Sequence, residues 1–347
     1  MNDYLSTKIK ILSFVSIIFV LYIHSGFHNF EIEGMNICNT LQIIISGKVS
    51  RCAVPLFYMI SGYLFFLNTE YGMSSIYKKM YKRIGTLLIP YLIGCVFFIS
   101  FITVIEILPG TSVFFNNSIL PLFKESSLII VKSVFFDAGN GSPCAFQLWF
   151  LRDLIEIVIV SPILYKIYRI NKLMLLIIII CGMALPIKMF PFHSLFWFAL
   201  GGILTKENVC MPIKCGRWNV LLFILLSIME MILYDNPLWS FLQIPIILNG
   251  IIGIWYLYDV LVNKDFVFEE HKLLFKMCQY TFFIYLFHEP TLNIIRKLIV
   301  FGIGKNELGY TVSYLLSPWL FVCFAIPIAI FIQSRYSRLY KLLTGNR

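Results

Sequence analysis

Apolar residues come in long runs along this chain, not in the strict alternation of half-buried strands or the narrow stripes of surface helices. A helix that crosses a membrane needs about 20 mostly apolar residues. On that rule the sequence predicts ten spans, at 9–28, 48–67, 86–108, 146–166, 173–189, 192–206, 217–234, 238–262, 274–296 and 312–334. Pro186 and Pro191 separate the fifth from the sixth, so that pair reads as a tight helical hairpin or as partly re-entrant. The longest stretch without a span, 109–145, holds a semi-apolar segment at 119–136 suited to lying along the membrane surface or capping a bundle. There is no internal repeat and no low-complexity tail. The expectation is an all-α, polytopic membrane helical bundle, one domain over 1–347 with no appended soluble domain.

Composition agrees. The chain is 59% hydrophobic and 13% charged, against about 45–50% and about 25% in soluble domains. Its net charge of +10 would suit a nucleic-acid partner only if the basic residues were gathered on one surface. They are instead spread over the segments that flank the spans. With the N-terminus cytoplasmic, most lysines and arginines fall in inside loops, which places both termini in the cytoplasm of a multi-pass inner-membrane protein. The expected partners are therefore membrane lipids and no nucleic acid. The N-terminus lacks the basic start and small-residue cleavage site of a removable signal.

Most of the nine cysteines lie inside apolar runs and read as small buried hydrophobes. Cys38 and Cys144 fall outside the spans and could pair, while Cys210 and Cys215 lack zinc-ligand spacing and a nearby histidine. No metal is expected.

Ionisable groups within spans are costly, so each one calls for an explanation. His24 closes the first span, and histidine is the side chain suited to proton transfer near neutrality; alone it also fits an interfacial histidine bonded to a carbonyl. His28, a turn further on, reads as a solvated loop residue. The second span opens at Arg51, which can pair with a carboxylate, hold an anion or snorkel outward. Ser61-Gly62-Tyr63 breaks its middle, about 15 Å deeper on helical rise, where small residues serve either close helix packing or a ligand. The fourth span begins with Gln147 and Trp149 and carries Arg152, Asp153 and Glu156 within about a turn, with Arg152 and Glu156 at a pairing distance of four residues. In the ninth, His288-Glu289-Pro290 places a second histidine beside a helix breaker. Four spans thus deliver ionisable groups to one outer depth. At the other face Lys78, Lys79, Lys82 and Arg83 precede the third span, as a topology and anionic-lipid signal or as a phosphate dock.

Together these pieces resemble the membrane-bound acyltransferase-3 family, which O-acylates glycans and lipids at bacterial surfaces. The resemblance rests on His24, on Arg51-x-x-x-Pro55-x-Phe57-x-x-x-Ser61-Gly62-Tyr63, on Lys82-Arg83 with Ile89-Pro90-Tyr91, on Leu148-Trp149-Phe150-Leu151, and on Phe283-Ile284-Tyr285-Leu286-Phe287-His288. Two positions depart from the family pattern: Ser13 stands where a basic residue usually precedes the histidine, and Thr86 where a second arginine follows the basic pair.

The resemblance implies a ten-helix enzyme moving an acetyl group from cytosolic acetyl-CoA to a hydroxyl of a cell-surface or lipid-linked glycan. His24 would be the base or transient acyl carrier, with Asp153 or Glu289 fixing its tautomer and Arg51 or Arg152 stabilising the oxyanion. Ser61, Tyr63, Trp149, Glu156, His288 and Glu289 would meet substrate, and Lys10, Lys78, Lys79, Lys82 and Arg83 the CoA phosphates. The alternatives are a secondary transporter or flippase with an intramembrane His/Arg/Asp site, against which the missing inverted repeat counts, and a protein in which these groups are packing pairs.

Overall fold

The computed structural model describes residues 3–27, 32–69, 72–109, 119–184, 190–207, 216–232, 239–262 and 272–346. His28, Pro186, Cys210 and Cys215 lie outside them. All regular structure among these residues is helical. Five helical stretches are long and apolar enough to cross a membrane: α1 (Asp3–Ser25), the run Asn36–Phe66 that joins α2 (Asn36–Ile45) to α3 (Ala53–Phe66), α4 (Met73–Ile107), Leu242–Leu261 of α10 (Trp239–Leu261), and Glu307–Arg335. Between and after these lie α5 (Ser127–Phe135), α6 (Trp149–Ile170), α7 (Lys172–Ala184), α8 (Phe192–Lys206), α9 (Gly216–Ile232), α11 (Lys272–Gln279), α12 (Thr281–Phe287), α13 (Thr291–Ile303), α14 (Glu307–Arg335) and α15 (Ser337–Thr344).

Two elements and one possible cysteine pair differ from the sequence reading. The expected ninth span, 274–296, is three helices, α11, α12 and the start of α13, with breaks at Tyr280 and at His288–Pro290. Pro290 offers no N–H and its ring crowds the preceding turn, which favours a break at this point. The expected third span, 86–108, begins instead at Met73, and the basic run lies on α4 itself. Lysine and arginine are good helix formers, so charge there does not end the helix. Cys38 and Cys144 both carry free thiols.

Long apolar runs explain why the helices form; small residues explain how tightly two of them meet. On α3, a Cβ at Gly62 would lie 2.0 Å from the Phe198 carbonyl oxygen, and on α8 a Cβ at Gly201 would lie 2.0 Å from that of Met59. The two backbones are therefore in contact, as small-residue helix pairs in membranes require. Thr205 Oγ1 ties the same pair by donating to the Tyr63 carbonyl at 3.0 Å. This pairing fixes the rotation of α3 and hence which of its side chains face α1.

Buried charges are matched. Lys8 on α1 donates to Asp259 on α10 at 2.6 Å, with Tyr4 bonding the same carboxylate oxygen at 2.5 Å and the Trp255 ring lying 4.2 Å from the ammonium. Neither partner of the pair is exposed to solvent by more than a few per cent.

Gly201→Ala should cost about 1–3 kcal/mol, because the new methyl meets backbone that cannot yield. Gly85→Ala, where nothing lies within 4 Å, is the control and should be neutral. Thermal unfolding of the two variants in detergent decides; equal melting points would mean that the α3–α8 approach is not under steric constraint.

Candidate functional site

A cavity of about 350 Å³ follows α1 lengthwise, from Ile9 and Ser13 near its start to Ile23 and His24 at its end. On helical rise that is about 22 Å. Its far wall comes from α3 (Val54, Phe57, Ile60, Ser61, Leu64), from α6 (Trp149, Phe150, Leu151, Leu154), and from α11 and α12, with Gln147 beside His24's end. Most of this wall is apolar. At the start of α1 the cavity is bounded by Arg83, whose Nη2 donates to Ser61 Oγ at 3.2 Å.

Arg83 also lines a second cavity of about 260 Å³, which it shares with Leu64, Lys79, Lys82, Thr86, Gly345 and Asn346. The two spaces share Leu64 and Arg83 as lining residues. A cationic cavity thus lies next to the end of an apolar passage whose other end is an imidazole. Lys79 in this cavity also caps α3, donating to the Phe65 carbonyl at 3.1 Å and to that of Leu67. Both positions that depart from the family pattern line these spaces, Ser13 in the passage and Thr86 in the cationic cavity.

His24 is half-buried, with the ring of His288 5.0 Å away and that of Phe146 at 5.5 Å, centre to centre. The turn that carries it is held by Arg296 of α13. Its Nη1 donates to the His24 carbonyl at 3.3 Å and to the Gly26 carbonyl, its Nη2 bonds Asn293 at 3.0 Å, and the guanidinium lies 4.5 Å from the Phe27 ring centre. The last carbonyls of a helix lack intrahelical partners, and here a half-buried cation bonds them.

Other residues singled out from the sequence stand elsewhere. Arg51 bonds Glu230 of α9 at 3.0 Å and Gln243 of α10 at 3.0 Å, and Lys48 shares that carboxylate at 2.7 Å. It does not line the cavity. Arg152 bonds Asp153 at 2.7 Å and approaches Glu156 at 3.7 Å, while Ser194 donates to the other Asp153 oxygen at 3.3 Å. The expectation that Asp153 orients His24 or neutralises Arg51 is therefore not met, since its hydrogen bonds go to its own neighbour and to α8.

Arg152 Nη1 reaches instead to the carbonyls of Phe136 and Gly141, at 2.7 and 2.9 Å, clamping the 136–143 loop over this end of the bundle. In that loop the N–H groups of Gly139 and Gly141 hold the exposed Asp137 carboxyl below its ordinary range. Neither Arg51 nor Arg152 is at hand for an oxyanion beside His24. Tyr63, Glu156, His288 and Glu289 are absent from the cavity wall, and His288 and Glu289 are buried behind it. Lys10 and Lys78 are surface residues that line neither cavity. Ser61 and Trp149 do line the passage, and Lys79, Lys82 and Arg83 the cationic cavity.

Sequence reasoning missed Arg296, which reads as one more loop cation. Its signal was its place in an apolar run a turn and a half beyond Pro290, where a chain with broken backbone bonds needs donors.

A family model described as an acyltransferase domain matches residues 8–333. The chain belongs to the acyltransferase-3 family, a family of membrane-bound enzymes that move acyl groups. It is similar to the succinoglycan biosynthesis protein ExoH of Rhizobium meliloti (strain 1021), 23% identical over 371 residues that cover 100% of this chain and 94% of the relative. No solved structure matches it.

Arg296→Leu should destabilise the protein by about 1–3 kcal/mol, since half-buried helix-end carbonyls lose a charged side-chain donor. Arg296→Lys should recover part of the loss. Unfolding in detergent measures both; a leucine variant as stable as the parent would show that the clamp contributes nothing.

Proposed function

We propose that the protein is a multi-pass inner-membrane enzyme of ten spans with both termini cytoplasmic, and that it transfers an acetyl group from acetyl-CoA to a hydroxyl of a cell-surface or lipid-linked glycan. One observation supports the reading: a cationic cavity adjoins one end of the passage along α1, sharing Leu64 and Arg83 with it, and a catalytic-type imidazole lines the other end. In the proposed orientation the cationic cavity faces the cytoplasm, where acetyl-CoA is found, and His24 faces the outside. The similarity to a protein named for succinoglycan biosynthesis supports a glycan acceptor.

The CoA phosphates sit among Lys79, Lys82 and Arg83, which offer charge-assisted bonds. The pantetheine arm extends past Ser61 and Trp149 and brings the thioester to His24. His24 takes the proton of the acceptor hydroxyl as its oxygen attacks the thioester carbon. The carbon–oxygen bond forms, the carbon–sulfur bond breaks, and the departing thiolate receives that proton from the imidazolium. The donors in reach of the developing oxyanion are neutral, the Gln147 amide and the Trp149 indole N–H, both in the cavity wall. The apolar wall keeps water from the thioester.

His24→Ala should abolish transfer of labelled acetyl from acetyl-CoA to glycan in membranes, with expression unchanged. Arg83→Ala should raise the KM for acetyl-CoA by about tenfold or more, the worth of a charge-assisted bond, with kcat less affected. Full activity in the His24 variant would overturn the mechanism. An unchanged KM in the Arg83 variant would overturn the placing of the donor.

A further inference from the structure

His288 sits at the break between α12 and α13, fully enclosed, and does not line the cavity. Its Nδ1 lies 2.6 Å from the Tyr285 carbonyl oxygen. A carbonyl can only accept, so Nδ1 carries the ring proton and Nε2 is left as a bare lone pair. That nitrogen is buried and has no hydrogen-bond partner among the described residues. Buried acceptors without a donor are rare because nothing replaces the water they gave up.

The ring beside it is His24, 5.0 Å away between centres. Two imidazoles joined by an N–H···N bond of ~2.9 Å have their centres about 5 Å apart, so a small rotation of the His24 ring closes the bond. Two carboxylates that could otherwise orient His24 are engaged: Asp153 is held by Arg152 and Ser194, and Glu230 by Lys48 and Arg51.

We infer that His288 is the positioning residue of His24: with its own tautomer set by the Tyr285 carbonyl, its Nε2 accepts the N–H of the His24 ring and leaves the other His24 nitrogen bare toward the cavity. The inference rests on the role proposed for His24. During transfer the acceptor's proton joins that bare nitrogen, the His24 N–H stays on its bond to His288, and the added proton leaves with the thiolate. His288 itself neither gains nor loses a proton and never touches substrate.

The test uses the full-length protein in detergent, with His288→Leu and His288→Gln, both checked for folding by melting point. The first readout is the rate at which diethyl pyrocarbonate modifies His24, followed by peptide mass spectrometry. The second is acetyl transfer from acetyl-CoA, with kcat and KM separated. Leucine fills the space and accepts nothing; glutamine can accept through its carbonyl.

His24 modification should slow by about tenfold in the leucine variant, and kcat should fall at least as far, with the donor KM unchanged. The glutamine variant should keep a substantial part of both. A folded leucine variant that reacts as fast as the parent would overturn the inference, as would equal losses in both variants, which mark a role in shape alone. If even the parent transfers no acetyl, the proposed enzymatic reading falls, while the modification rates still decide whether the two imidazoles are coupled.

Discussion

A charge inside a helical bundle surrounded by hydrocarbon must find a partner within the protein, because no water is there to take its place. That constraint sorts the polar groups of this chain. Lys8 is matched by Asp259, Glu230 by Lys48 and Arg51, and Asp153 by Arg152. Each pair fastens together helices distant in sequence or pins a loop. Arg83, bonded to the Ser61 hydroxyl, the amide of Gln147 and the His24 imidazole form no such ion pair among the described residues and line the passage, with His288 buried behind His24.

Packing determines where that space is. The contact of α3 with α8 through Gly62 and Gly201 turns Val54, Phe57, Ser61 and Leu64 toward α1. The break at Pro290 lets α13 turn back so that Arg296 reaches the end of α1, which sets the position of His24. A straight ninth helix would leave the α1 carbonyls without their donor.

The sequence carries the helical class plainly, since hydropathy alone marks a bundle, and its short motifs carry the family. His24, Ser61, Trp149 and Arg83 all stand along one passage, and their residue types in that order were the signal. Arg51, Asp153 and Arg152 misled for a common reason. Depth in the bilayer can be estimated from position along a span, but the direction a side chain takes around the bundle cannot, and the nearest opposite charge decides it. His24, His288 and Arg296 converge because two spans far apart in the chain pack end to end, which no spacing in the sequence records. Likewise, Lys78 shares a basic cluster with Lys82 and Arg83 in the sequence, yet is a surface residue that lines neither cavity, as is Lys10 on α1.

The central claim is that donor and base meet through this one passage. The most direct measurement is a structure of the protein with a thioether analogue of acetyl-CoA, in which the labile thioester cannot react. The account requires the phosphates at Lys82 and Arg83, the arm running past Ser61 and Trp149, and the acyl end against the His24 ring. An analogue bound outside the passage, or entering it from the end where His24 lies, would contradict it.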